Sequence, residues 1–109
     1  MPLTIAEIMA KVPQAFVPEK AGEVNAIVHF KFTGAEAGEW NATIQNGTCQ
    51  VAQGIPRARP TVTVAADSDD YRRIVNGELD PSRAFMEGKL RLTGDTAMAT
   101  KLVSMFRLP

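Results

Sequence analysis

The side chains able to carry chemistry are few, and their spacing argues against catalysis. His29 is the single histidine and sits beside Lys31 on the polar side of an alternating stretch, so no second imidazole is available for a zinc or triad-type site. It reads as a solvated strand residue. Cys49, the single cysteine, falls on the apolar side of its stretch and reads as a small buried hydrophobe, with no second thiol to resolve an oxidised one. Asp67, Asp69 and Glu78 match positions one, three and twelve of a calcium loop, yet Tyr71 stands at position five and Arg72 at position six, where the sharp turn requires glycine. Helix capping is the expected role of these acids. Neither GxGxxG nor GxxxxGK[ST] occurs. The pairs Lys89/Arg91 and Arg57/Arg59 read as solvated cations, with one functional alternative shared by both pairs: they could meet the anionic head of a ligand at a cavity mouth. With no nucleophile–base pair and no metal cluster, the expectation is a protein that is not an enzyme and carries no cofactor.

Charge and size narrow the partners. Twelve Lys and Arg against twelve Asp and Glu give no formal net charge, which removes the field of a nucleic-acid binder. No apolar run approaches the ~18 residues of a membrane span, and Met1 to Lys11 lacks the order of an export signal. A cytoplasmic protein is expected, with at most transient membrane contact. A chain of 109 residues with 45% hydrophobic content fits one domain over residues 1–109 and can build its core without disulfides.

The elements that must position these residues follow from periodicity. Ile5, Ile8, Met9, Val12 and Phe16 recur at helical spacing behind a Thr4/Glu7 capping box, with Pro13 expected to interrupt or kink the helix. Val24 to Phe32 alternates with period two, and so does Trp40 to Ile44, which ends at Asn46-Gly47, the strongest two-residue hairpin signal. Strands around Cys49 and Val51 and around Val62 and Val64 follow. Asp67 or Ser68 caps a helix bearing Tyr71, Ile74 and Val75, for which Gly77 suits the left-handed position after the last turn. Asp80-Pro81 opens a second short helix, Leu90 and Leu92 mark a fifth strand, and Gly94-Asp95 launches the last helix. The order predicts an α+β fold: a five-stranded, mostly antiparallel sheet covered on one face by helices, the other face meeting water.

The last helix is more apolar than one sheet contact needs. Met98, Leu102, Met105 and Phe106 form one stripe, and Ala97, Ala99, Val103 and Leu108 widen it. Spacing alone leaves three roles open: a core helix, a homodimer or protein-partner surface, or a cavity wall.

The string Gly77-Glu78-Leu79-Asp80-Pro81-Ser82-Arg83-Ala84-Phe85-Met86-Glu87-Gly88-Lys89-Leu90-Arg91-Leu92-Thr93-Gly94-Asp95, followed by Met98, Ala99, Lys101 and Leu102, resembles the C-terminal half of sterol carrier protein 2 domains. Trp40 to Gly47 and Pro60 to Val64 are similar to the same family, so the likeness spans roughly Val24 to Phe106. It implies an apolar tunnel between sheet and helices for a fatty acid, fatty acyl-CoA or sterol, bound without being transformed. On the matched positions it implies tunnel residues Met98, Leu102, Met105, Phe85 and Met86, with Ile74, Trp40 and Phe32 added from their apolar faces. Peroxisomal members of that family end in a Ser-Lys-Leu-like tripeptide, whereas this chain ends Arg107-Leu108-Pro109, which implies a bacterial-type, stand-alone member. A chain stopping so soon after the last helix also implies an open tunnel, or one lidded by a partner.

Overall fold

The computed structural model describes residues 4–95 together with Ala97, Met98 and Lys101, the side chains of Lys20 and Ala21 excepted. Helix α1, Ile5–Ala15, starts where expected. The Thr4 hydroxyl accepts the Glu7 N–H at 3.1 Å, and the Glu7 carboxylate accepts the Thr4 N–H at 3.1 Å, so two orphan amides of the first turn are satisfied reciprocally. The helix runs two residues past Pro13 rather than stopping there. Pro13 sits so near the end that only one i→i−4 bond, to Met9, is forfeited. A four-residue helix α2, Pro18–Ala21, follows, which the periodicity did not predict.

Strands β1 (Ala26–Thr33), β2 (Gly38–Gln45) and β3 (Thr48–Gln53) form an antiparallel meander. Asn46 and Gly47 both adopt positive φ, 52° and 71°, as the two central residues of a type I′ hairpin must. β4 (Val62–Asp67) lies parallel to β1 on its other side, and β5 (Leu90–Gly94) closes antiparallel against β4, giving the order β3-β2-β1-β4-β5. The sheet is therefore mixed, with one parallel pair among antiparallel ones. Helix α3 (Ser68–Val75) is capped by Asp67 and α4 (Pro81–Met86) by Asp80 with Pro81 in the first turn. Past α3 the Gly77 N–H donates to the Ile74 carbonyl and the Glu78 N–H to the Arg73 carbonyl, the paired bonds of a Schellman ending. Asp95 accepts the Met98 N–H at 3.0 Å, and Ala97, Met98 and Lys101 are helical. None of the helices, over the described residues, is long and apolar enough to cross a membrane.

Alternation assigns the two faces. Ala26, Val28, Phe30 and Phe32 share one face with Trp40, Ala42, Ile44, Val62, Val64, Ala66, Leu90 and Leu92, and the helices cover that face. His29, Lys31, Glu39, Asn41, Thr63 and Arg91 share the other. That outer face is not simply open to water. The connection from β3 to β4 crosses it, held by the Asn41 amide donating to the Gly54 carbonyl at 3.0 Å and the Thr61 N–H to the Ile27 carbonyl at 2.7 Å. A pocket of about 320 Å³ lies beneath, between Ile27, Asn41, Thr43 and Ala52 of the sheet and Ile55 and Arg57 of the connection.

One polar knot joins three elements. In the β1–β2 turn, Glu36 accepts the Ile5 N–H at 3.0 Å and an Arg72 guanidinium N–H at 3.1 Å, while its own N–H donates to the fully buried Ser68 hydroxyl at 3.1 Å. A carboxylate at the first turn of α1 is favoured by that helix's dipole as well as by the hydrogen bonds. Glu36→Ala removes both charge-assisted bonds and leaves Arg72, whose Nε is already a buried donor without a partner, less satisfied still. We expect a loss of about 2 kcal/mol, discounted because both side chains keep some solvent contact. In a thermal melt that corresponds to roughly 8–16 °C. An unchanged melting temperature would show the knot to be inert.

Candidate functional site

The covered face has a closed half and an accessible one. Under α1 the packing is tight: Met9 and Ile44 are 0% exposed, Ala42 and Val62 1%, Ile5 2%. Toward α3 it loosens along the row Trp40–Phe30–Val64–Leu92, which crosses four strands. Val64 is the telling position. It lies on an inner strand with Phe30 on one side and Leu92 on the other, yet it is half-buried. Trp40 and Leu92 on the same row are half-buried too, as are Tyr71, Ile74 and Val75 of α3 and Met98 beyond Asp95. An inner-strand valine normally disappears beneath the opposing layer, whereas Val64 leaves part of its apolar surface accessible.

The residues expected to line a tunnel divide on this geometry. Trp40 and Met98 pack against the core while half-buried, Ile74 is half-buried on α3, and Phe32 is 4% exposed, sealed in the floor beneath Tyr71. Phe85 and Met86 do not line an interior: they are 51% and 85% exposed, whereas Ala84 is the member of that segment turned fully inward. A six-residue helix lying against β5 can bury only one short face, and Ala84 occupies it. Leu102 and Met105 lie outside the described residues. Arg91 alternates with Leu90 and Leu92 and so projects from the outer face, away from a ligand on the covered side. Lys89 is exposed and spends its ammonium on Glu87 at 3.2 Å. The head-group role expected of these two cations thus fails for Arg91 on side-chain direction.

His29 is also a correction: it is 7% exposed rather than solvated, its Nε2 3.2 Å from the Glu39 carboxylate across the β1–β2 pair. Residues on an outer face are hidden when a long connection crosses that face, and no local pattern announces such a crossing. Cys49 is half-buried, and burial pushes its thiol up to about 11. At pH 8 the folded protein therefore holds on the order of a hundredfold less thiolate than the same cysteine unfolded in denaturant. Iodoacetamide should label Cys49 slower by up to that factor, and equal rates in the two states would contradict the burial. Among the described residues, no group of three or more His, Cys, Asp or Glu is placed to hold a metal ion. The covered face offers accessible apolar surface, while the His29–Glu39 pair lies on the outer face.

Sequence reasoning did not single out Val64 or Tyr71. Val64 carried the alternation signal of a core residue, and only sheet order reveals that it is central yet half-buried. Tyr71 was read through its place in the calcium-loop frame and the helix stripe, while its ring lies on Phe30 and Phe32, with centroids 6.3 and 5.0 Å away.

Comparison with known proteins agrees with this architecture. Hydroxysteroid dehydrogenase-like protein 2 of Danio rerio is 29% identical over 104 residues, covering 95% of this chain and 25% of that protein. The chain thus spans about a quarter of that relative's length. Among solved structures, the inverting sec-alkylsulfatase Pisa1 from Pseudomonas sp. contains a matching fold at TM-score 0.82 and 19% identity, covering 96% of this chain and 16% of that one. Sterol Carrier Protein 2 Like 2 from Aedes aegypti matches at TM-score 0.74 and 27% identity, covering 94% and 92% of the two chains. A palmitated form of that mosquito protein matches at TM-score 0.71 and 23% identity, covering 94% and 93%. The family model described as the SCP-2 sterol transfer family matches residues 5–107, nearly the whole chain, and the chain belongs to that family.

Proposed function

We propose that this chain binds one lipid-like amphiphile, a fatty acid, fatty acyl-CoA or sterol, between the sheet and the helices around α3, and releases it chemically unchanged. The observation that carries the reading is the accessible apolar surface at Val64 on an inner strand, with half-buried Trp40, Leu92 and Met98 packed on the same core. Family membership and the palmitated mosquito relative supply the ligand class. Phe85 and Met86 fit a place at the rim, where a lipid tail would pass them on entry.

The energetics favour occupancy. A lipid-sized cavity of at least ~300 Å³, charged at ~24 cal/mol per Å³, would cost ~7 kcal/mol if dry and empty, against a total stability of ~5–15 kcal/mol. Such space is filled by ligand, hydrated or partly collapsed. Titration with a fluorescent long-chain fatty acid should saturate near one equivalent, and palmitoyl-CoA incubated with the protein should be recovered intact. No saturable uptake across acyl lengths and sterols, with light scattering that rises with concentration, would favour a protein-interaction surface instead. Hydrolysis of the thioester in proportion to added protein would contradict the non-catalytic reading.

A further inference from the structure

Tyr71 projects from α3 onto the middle of the covered face, edge-on to Phe30 at 71° and tilted 58° over Phe32. Its surroundings are apolar and its hydroxyl makes no hydrogen bond to a described residue. Tyr71 is half-buried, and burial pushes the phenol up to about 12. A hydroxyl in such a place stays protonated at physiological pH and offers a donor to whatever occupies the cavity.

We propose that the Tyr71 hydroxyl is the hydrogen-bond donor that fixes the polar head of the bound lipid, so that the site prefers amphiphiles bearing an acceptor oxygen over plain hydrocarbon. This inference rests on the reading of the covered face as the lipid site. It supplies the anchor that Arg91, on the opposite face, cannot. A buried hydroxyl left unpaired loses the water it had in the unfolded chain, and an acceptor on the ligand restores that bond. A hydrocarbon of equal length gains the same apolar contacts but leaves the hydroxyl unpaired.

The test is Tyr71→Phe, which keeps the ring over Phe30 and Phe32 and removes one oxygen. Equilibrium uptake of radiolabelled palmitate and of hexadecane is measured on both proteins, with the carboxyl carbon resonance of [1-13C]palmitate as a direct report on the head. Y71F should weaken palmitate on the order of tenfold or more, the range of a hydrogen bond to a carboxylate, and move the carboxyl resonance. Hexadecane uptake should stay within about twofold, which also shows that the variant is folded. Equal palmitate affinity in the two proteins overturns the anchor while leaving the lipid site standing. Equal losses for palmitate and hexadecane overturn it as well, since they assign Tyr71 a packing role. If the parent protein takes up neither probe, the lipid reading itself falls, and the anchor with it.

Discussion

Gly94→Ala should destabilise the domain by about 3–4 kcal/mol, the largest effect we expect from any single methyl group in this chain. Two costs combine. Gly94 holds φ at +94°, and a Cβ built there would stand 2.5 Å from the Thr61 carbonyl oxygen and 3.3 Å from the Val62 Cα. The obstacle is backbone, so no rotamer change relieves it. Gly94 is also the last residue of β5, paired with Val62, and the next N–H, from Asp95, donates to that same Thr61 carbonyl at 2.9 Å. Pushing Thr61 away weakens the β4–β5 edge and the Asp95 cap together, so lipid binding should fall along with stability. Gly54→Ala is the control: φ is +112° there but nothing lies within 4 Å, and it should cost only the conformational penalty, about 1 kcal/mol. Denaturant melts that place the two variants together would contradict the close-approach argument.

Ile44→Ala should cost about 3 kcal/mol, within the range for emptying a well-packed site. Ile44 is 0% exposed and pairs with Ala26 and Cys49 on the half of the core closed by α1. Val64→Ala, on the accessible half, should cost about 1 kcal/mol, since a methyl bordering open space leaves little new cavity. The affinities should separate in the opposite sense. Lipid binding should survive Ile44→Ala in the folded fraction and weaken in Val64→Ala. Equal destabilisation by the two substitutions would mean that the core is uniformly packed and that the site lies elsewhere.

Period-two alternation made the strands legible in the sequence, and the turn chemistry of Asn46-Gly47 and the caps at Thr4, Asp67, Asp80 and Asp95 marked their neighbours. These signals are local, and each states its own physical reason. The same alternation already placed Arg91 opposite Leu90 and Leu92, so its distance from the covered face could have been foreseen. What stayed hidden depends on contacts remote in sequence. Glu36 sits in a turn with no pattern around it, and its partners Ile5 and Arg72 are 31 and 36 residues away. The parallel β1–β4 pairing, the crossing that helps bury the outer face, and the half-burial of Val64 all follow from sheet order, which periodicity does not encode. Phe85 and Met86 were implied by the matched family segment, which says nothing of exposure, and a short helix shows much of its surface to solvent.

The central claim is a location, and a spin-labelled fatty acid tests it most directly. With 16-doxyl-stearate bound to uniformly labelled protein, paramagnetic broadening should centre on the methyl groups of Val64, Leu92, Ile74 and Met98, should be weak at Ile5 and Ile8 under α1, and should disappear when excess palmitate is added. Broadening centred instead on Ile27, Ala52 and Ile55, in the pocket beneath the β3–β4 connection, would place the lipid on the outer face and contradict the account.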